Sequence, residues 1–312
     1  MNELATIIAS ASPLVYAVVG ETISEKAGVI NLSLDGSIML SAMSAFAVAY
    51  LSGNAWLGFL AAIAVSALFA ALVAFASIEL RLNQIAVGFV LFLLGAKLAG
   101  FLGDPYVGET AAHVEPMPIP LLADIPFLGP VLFDHNLSVY GSYVALIGAY
   151  LFLYRTRRGL ELQGVGERPE AAFARGLPVN RLRYLYTIIG GAIVGLAGAA
   201  FSLDVKLGWR DGLTENFGWI ALAIVIFGGW NPVRAALGCY LFGGLQWAAL
   251  ELQPVWPDFT QILATMPFAL MIFALLLVYM DSFRRLGDRH PNLRRFIASD
   301  PPSAIGTAFR RE

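Results

Sequence analysis

Cysteine is all but absent from this chain: among 312 residues only Cys239 occurs, which rules out an intramolecular disulfide framework. Charge is scarce as well. Asp, Glu, Lys and Arg make up 13% of the residues against 58% hydrophobic ones, and mean hydropathy is +0.71. A soluble chain of this length cannot hide that much apolar surface in one core, so the bilayer has to be its solvent. The spacings that mark common enzyme classes are missing too: there is no G-x-x-x-x-G-K-[ST], no H-E-x-x-H and no G-x-S-x-G. His113, His135 and His290 lie far apart. ATP hydrolysis through a Walker-type loop of its own is therefore excluded. A metal site or an intramembrane hydrolase is not expected either. The start, Met1-Asn2-Glu3, lacks the basic opening of a cleavable signal, so the first apolar run reads as a retained anchor.

What the chain does have is a succession of apolar runs, at 4–20, 36–52, 55–78, 84–102, 139–154, 184–202, 217–229, 235–251 and 260–280. The last would extend about 31 Å as a helix, enough to cross a hydrocarbon core. The run ending at Phe227-Gly228-Gly229 is short, the length of a half-helix. The expected fold class is all-α: a polytopic integral membrane protein with about nine transmembrane helices, eight to ten. A broken or re-entrant segment near the N-terminus and a short cytoplasmic helix complete it. Residues 1–283 read as one transmembrane domain and 284–312 as a basic, partly disordered tail, with S-D-P-P-S-A-I-G-T after Ile297-Ala298 as its irregular end.

Arginine sets the orientation. Seven lie between Arg155 and Arg183 and seven more follow Met280, whereas residues 103–138 hold no Lys or Arg, only acidic groups such as Asp104, Glu109 and Asp134. The positive-inside rule places the 155–183 loop and the C-terminus in the cytoplasm and the proline-rich 103–138 loop outside. Lys206 and Arg210 fall outside as the exception. Trp56, Trp209, Trp219, Trp247 and Trp256 fall near the expected interfaces, as an aromatic belt does. Lys97, inside a run, is expected to snorkel outward. Gly191, Gly195 and Ala199 share a helix face and read as close packing.

Two polar segments carry the functional signal. The first, E-K-A-G-V-I-N-L-S-L-D-G from Glu25 to Gly36, interrupts the apolar runs with Glu25, Asn31, Ser33 and Asp35. Unpaired polar groups in hydrocarbon cost several kcal/mol, so such a break either lines a water-filled path or closes on itself through mutual hydrogen bonds. Gly28 and Gly36 relax the backbone, and Ser33 or Asp35 is placed to cap the following helix. Asn31, donor and acceptor at once, suits a hydroxylated or heterocyclic solute. The second is G-E-R-P-E-A-A-F-A-R-G-L-P-V-N from Gly166 to Asn180. Pro169 suits a first helical turn, Glu170 its positive end and Gly176 its stop, with Asn180 placed to cap the next helix. The short helix reads as a partner dock or as an amphipathic helix on the lipid surface.

Glu170-Ala171-Ala172 followed by Gly176 resembles the E-A-A-x-x-x-G signature of ABC-importer permeases. The Glu25–Gly36 stretch, Asn83-Gln84-Ile85 with Gly88, and the turn F-G-G-W-N-P from Phe227 are similar to motifs of the branched-chain amino acid, simple sugar and nucleoside permease family, closest to its nucleoside-type members. The resemblance spans roughly residues 10 to 280, with Lys26 for arginine, Asp35 for glutamate and Ser33 for a frequent glycine. It implies a permease subunit in a bacterial inner membrane that moves nucleosides, or simple sugars, by alternating access. Glu25, Asn31, Ser33, Asp35, Asn83 and Gln84 would line the path. Pro169, Glu170, Ala171, Ala172, Phe173, Arg175 and Gly176 would dock a separate cytoplasmic ATPase that holds ATP and Mg. A second permease subunit and an extracytoplasmic binding protein would be the other partners, with no nucleic acid. The alternative is a transporter driven by an ion gradient, whose mark would be carboxylates well inside the apolar runs.

Overall fold

Each of the nine apolar runs folds as a helix in the computed structural model, which describes residues 3–279 and 301–309. In chain order the helices are α1 (Glu3–Lys26), α2 (Leu34–Ser52), α3 (Ala55–Ala74), α4 (Gln84–Gly103), α5 (Leu137–Arg155), α6 (Arg157–Glu167), α7 (Pro169–Ala174), α8 (Val179–Ala200), α9 (Phe217–Phe227), α10 (Pro232–Leu252) and α11 (Thr260–Tyr279). Short π-helical turns extend α3 through Glu79 and α8 through Val205. Among the described residues there is no strand, only an isolated bridge between Pro116 and Asn136. Among the described residues, six of the helices are long and apolar enough to cross a membrane. The extra helix in the arginine-rich loop, α6, is not marked by an apolar run, because its residues R-R-G-L-E-L-Q-G-V-G-E are amphipathic and short.

Helix α8 is the hub and packs along α1, α2 and α3. Small residues allow the approach. A Cβ on Gly195 would overlap Ala62 O, with Ala62 C only 2.8 Å away, and one on Gly191 would strike Ala70. Gly20 and Gly190 likewise bring α1 and α8 into backbone contact. In lipid, where burial between helices gains little from water, such close packing is the main source of association. Ser37 and Ser66 share a buried hydrogen bond of 2.8 Å across α2 and α3.

That bond also fixes where α2 begins. Ser66 lies at the middle of α3, and Gly36 sits against Phe92 and Gly95 at the middle of α4. The chain from Ala27 to Ser33 thus climbs, without regular structure, from the arginine-rich end of the bundle to its centre. Gly28, at φ +89°, turns the chain where it leaves α1. Gly36 plays a different part from the one expected. It is helical, and it leaves room for the Phe92 backbone, whose Cα would be 2.8 Å from an added Cβ.

The structure departs from the sequence reading elsewhere too. Residues 301–309, expected as an irregular end, are turns packed onto the protein. The arginines from 284 to 295 lie outside the described residues. Trp209 is buried beside Gly103, and Trp219 packs edge-on to Phe92 at 5.4 Å, so neither joins a belt; Trp56 and Trp256 are exposed. The F-G-G-W-N-P turn forms as read. Gly229 and Trp230 take φ of +64° and +52°, and the Asn231 side chain caps α10 through Val233 and Arg234 N–H groups.

Candidate functional site

The break after α1 is held by a hydrogen-bond cluster, in which Glu21 Oε2 is a buried oxygen with no partner among the described residues. Ile30 N donates to Gln84 Oε1 (2.9 Å), and Asn31 N donates to Glu21 Oε1 (3.2 Å). Ser33 donates to Asn31 Oδ1 from its backbone N (3.2 Å) and its Oγ (2.5 Å). The Trp230 indole N–H donates to Glu25 Oε2. Glu21, Glu25, Asn31, Ser33, Asp35 and Gln84 are each no more than 5% exposed. At about 1–3 kcal/mol for every buried polar group left unpaired, the mutual bonds are what let this segment stay away from water. Of the two open readings, self-satisfaction therefore describes Asn31, Ser33, Glu25 and Gln84 as they stand. Asn83 is separate from them: it is exposed, and its Oδ1 accepts from Ala86 N (3.1 Å) to cap α4. The N-Q-I-x-x-G pattern has a physical basis here, since Gln84 holds Ile30 and Gly88 packs on Leu32.

Glu21 is the residue the sequence reading missed. It lies inside α1, not at its end, and is buried. The signal was present as E-x-x-x-E directly after the first apolar run, the four-residue spacing that puts both carboxylates on one helix face.

Asp35 does something other than cap its own helix. Ser33 occupies the N-cap of α2 but forms no side-chain cap bond. Asp35 instead reaches across the chain, where Oδ1 accepts from Gly218 N (2.7 Å) and Oδ2 from Asn216 N (3.3 Å). It thereby caps α9, satisfying donors that a helix start leaves free and placing a carboxylate at the positive end. Gly218 is required for this, because an added Cβ would overlap the Asp35 backbone. The start of α2 and the start of α9 thus meet at one carboxylate near the centre of the bundle.

Beside this joint lies a cavity of about 440 Å³, lined by Asp35, Met39, Phe92, Lys97, Asp211, Glu215 and their neighbours. Its size falls within the roughly 300–1,000 Å³ of small-molecule sites. Its walls offer three carboxylates that accept hydrogen bonds, one ammonium that donates them, and the aromatic ring of Phe92. Lys97 is exposed and lines this cavity, so the snorkelling account alone does not describe it. Phe92, Asp211 and Glu215 were not singled out in the sequence, since nothing in their local pattern says that α4 and the α8–α9 connection meet. Deeper in that connection, Lys206 Nζ donates to Leu213 O (2.7 Å) and sits 4.9 Å from the centre of the Phe217 ring.

At the arginine-rich end, Pro169 opens α7 and Gly176, at φ +84°, closes it as expected. Pro169 and Ala172 are buried, while Glu170, Ala171, Phe173 and Arg175 face outward. Asn180 is not a cap: α8 starts at Val179 behind Pro178, which places Asn180 inside its first turn. Between α6 and α7 runs a groove of about 670 Å³, lined by Arg157, Glu161, Arg168, Ala171, Arg175 and their neighbours.

The family model described as "Branched-chain amino acid transport system / permease component" matches residues 3–275. A putative glucose ABC transporter permease protein, TsgC13 of Haloferax volcanii, is 41% identical over 250 residues, covering 79% of this chain and 75% of that protein. The guanosine ABC transporter permease protein NupQ of Bacillus subtilis is 31% identical over 282 residues, 85% of this chain and 88% of its own length. The nucleoside ABC transporter permease protein NupC of Lactococcus lactis is 31% identical over 258 residues, with 78% and 81% covered. No solved structure matches the chain.

Proposed function

The chain belongs to the branched-chain amino acid transport system permease-component family, and on that premise we propose how it moves its solute and what that solute is. It is a multi-pass membrane protein and the permease subunit of an ABC importer. The solute we infer is a nucleoside, with simple sugars as the second class. Relatives named for guanosine, nucleosides and glucose support this, and the two classes share a polyhydroxylated ring. The observation that carries the reading is the meeting of α2 and α9 at Asp35, next to a cavity with polar walls inside an apolar bundle. Interrupted helices with their amino ends at mid-depth are how transporters offer N–H groups to a ligand. Charged side chains such as Lys97 at membrane depth belong on a water-filled path, and α4, the least buried of the six membrane-length helices among the described residues, is the face for a second permease subunit.

In this account the chain spans the membrane about nine times, with its C-terminus and α7 in the cytoplasm. α7 docks a separate ATPase, which holds ATP and Mg, and an extracytoplasmic binding protein delivers solute to the Asp35 cavity. ATP-driven closure of the ATPases moves α7 and rocks the helices around the Glu25–Asp35 break. Asn31 and Ser33 enter the path when their mutual bonds open. The test uses thiol labelling, for which the buried Cys239 gives a silent background. Cysteines placed at Lys97 and Glu215 should react with a membrane-impermeant reagent from outside and be protected by the loaded binding protein. Absence of labelling from either side would contradict the cavity's place on the path.

A gradient-driven carrier is favoured by one observation, the two buried carboxylates of Glu21 and Glu25 inside α1. Against it, Glu25 is held by Trp230 and Glu21 by the Asn31 backbone, the pattern of a structural joint.

A further inference from the structure

The last described segment of the chain links the docking helix to the polar break. Ser303 donates from N and Oγ to Glu167 Oε2 (3.2 and 2.9 Å), and Ala304 N donates to Gly166 O (3.0 Å), both at the end of α6. Gly306 N donates to Gly28 O (3.1 Å), in the turn where α1 gives way to the break. Arg183 Nη1, from the first turns of α8, donates to Thr307 O (2.7 Å). The Phe309 ring then packs at 5.5 Å on Phe173 of α7, within a small cluster of Val165, Ala172 and Val179. Nine residues thus touch α6, the Gly28 turn, α8 and α7 in succession.

We propose that residues 301–309 form a coupling strap that positions α7 and carries its movement to the Gly28 turn. The proposal rests on the reading of α7 as the ATPase dock. Two features favour a mechanical link over incidental packing. Arg183 is among the largest fully buried side chains, and its Nε and Nη2 have no hydrogen bond among the described residues. The Thr307 carbonyl is therefore the acceptor that lets a guanidinium stay buried there, and a buried donor without one is costly. The contact with the turn is also close: Gly306, at φ +74°, leaves only 3.1 Å between an added Cβ and Ile30 Cδ1. Gly306 and Phe309 are separated by two residues, at most about 11 Å of chain, so little slack lies between the turn and α7. Phe309 acts through Phe173 and is a positioning residue.

The test compares truncation after Asp300 and Phe309→Ala with the unaltered chain, each reconstituted with its ATPase and binding protein. The readouts are the amount of ATPase that co-purifies and the ATP hydrolysed per labelled guanosine imported. The strap predicts a co-purifying ATPase but a hydrolysis-to-import ratio raised about tenfold, within the roughly 5–150-fold of typical site-to-site couplings. A merely stabilising tail would lower protein level and leave that ratio alone, which would overturn the proposal. Should the truncation fail to fold, a Phe173→Cys/Phe309→Cys pair decides instead. Reduced, it lacks the Phe173–Phe309 contact and should show the raised hydrolysis-to-import ratio; oxidised, the disulfide rejoins strap and α7 and should bring the ratio back toward that of the unaltered chain. Import blocked by oxidation and restored by reductant would mean that the strap must release α7, and would sink the idea. The dock is tested separately: Ala171→Trp should expel the ATPase, and retention of ATPase there refutes the reading of α7, whatever the strap variants do.

Discussion

Replacing Asp35 by alanine removes the joint between α2 and α9 and leaves two amide N–H groups, of Asn216 and Gly218, without their acceptor. Stranding the buried Gly218 donor costs about 1–3 kcal/mol and the more exposed Asn216 donor less, and losing a buried carboxylate returns part of that, for a net loss of about 1–3 kcal/mol. For a chain of 312 residues, at about 2.1 cal/mol/K of unfolding entropy per residue, each kcal/mol moves the unfolding midpoint by about 1.5 °C, so the detergent-solubilised protein should melt about 2–5 °C lower. Asp35→Asn is the informative partner. It keeps an acceptor for the 2.7 Å bond from Gly218 but turns an amide –NH₂ toward Asn216 N, for a loss of about 1–2 kcal/mol. If Asp35 also faces the solute, Asp35→Asn should reduce uptake far more than its small change in melting accounts for. The measurements are a fluorescence melt and uptake of labelled guanosine at matched membrane levels. Unchanged melting with unchanged uptake for Asp35→Ala would refute the joint itself.

Three other perturbations follow from the same geometry. Gly195→Val drives a side chain into Ala62 on α3, and overpacking of this kind costs about 1–3 kcal/mol, so the membrane level should fall in quantitative blots. Trp230→Phe strips the donor from the buried Glu25 carboxyl for about 1–3 kcal/mol, and a double-mutant cycle of melting temperatures with Glu25→Gln should show the two losses to be non-additive. Asn31→Leu removes the acceptor of both Ser33 bonds, and uptake should be lost while protein remains in the membrane; normal uptake would take Asn31 off the path.

The helices were legible because an unbroken apolar run of this length folds as a helix in lipid, and each of the nine runs is helical, six of them, among the described residues, long and apolar enough to cross a membrane. Gly176, Pro169 and the F-G-G-W-N-P turn were legible for a related reason, since turn chemistry is local. What could not be read is what depends on which distant parts meet. Asp35 looked like a cap for its own helix, yet its partners lie at Asn216 and Gly218. Pro301 to Thr307 looked unstructured by composition, because Pro, Ser, Gly and Thr predominate, and its order comes from tertiary bonds to Gly28, Gly166 and Arg183. Glu21 is the one omission that a closer look at spacing would have recovered.

The claim that matters most is that this chain works as the permease of an ATP-driven importer. Uptake of labelled guanosine and of ribose, in cells with and without the chain, tests it under ATP depletion and, separately, under an uncoupler that leaves ATP intact. The account predicts uptake that requires the chain, falls when ATP is depleted and survives the uncoupler. Uptake that persists without ATP and collapses with the uncoupler would contradict it, and would make the Glu21–Glu25 pair the place to look for the coupling ion.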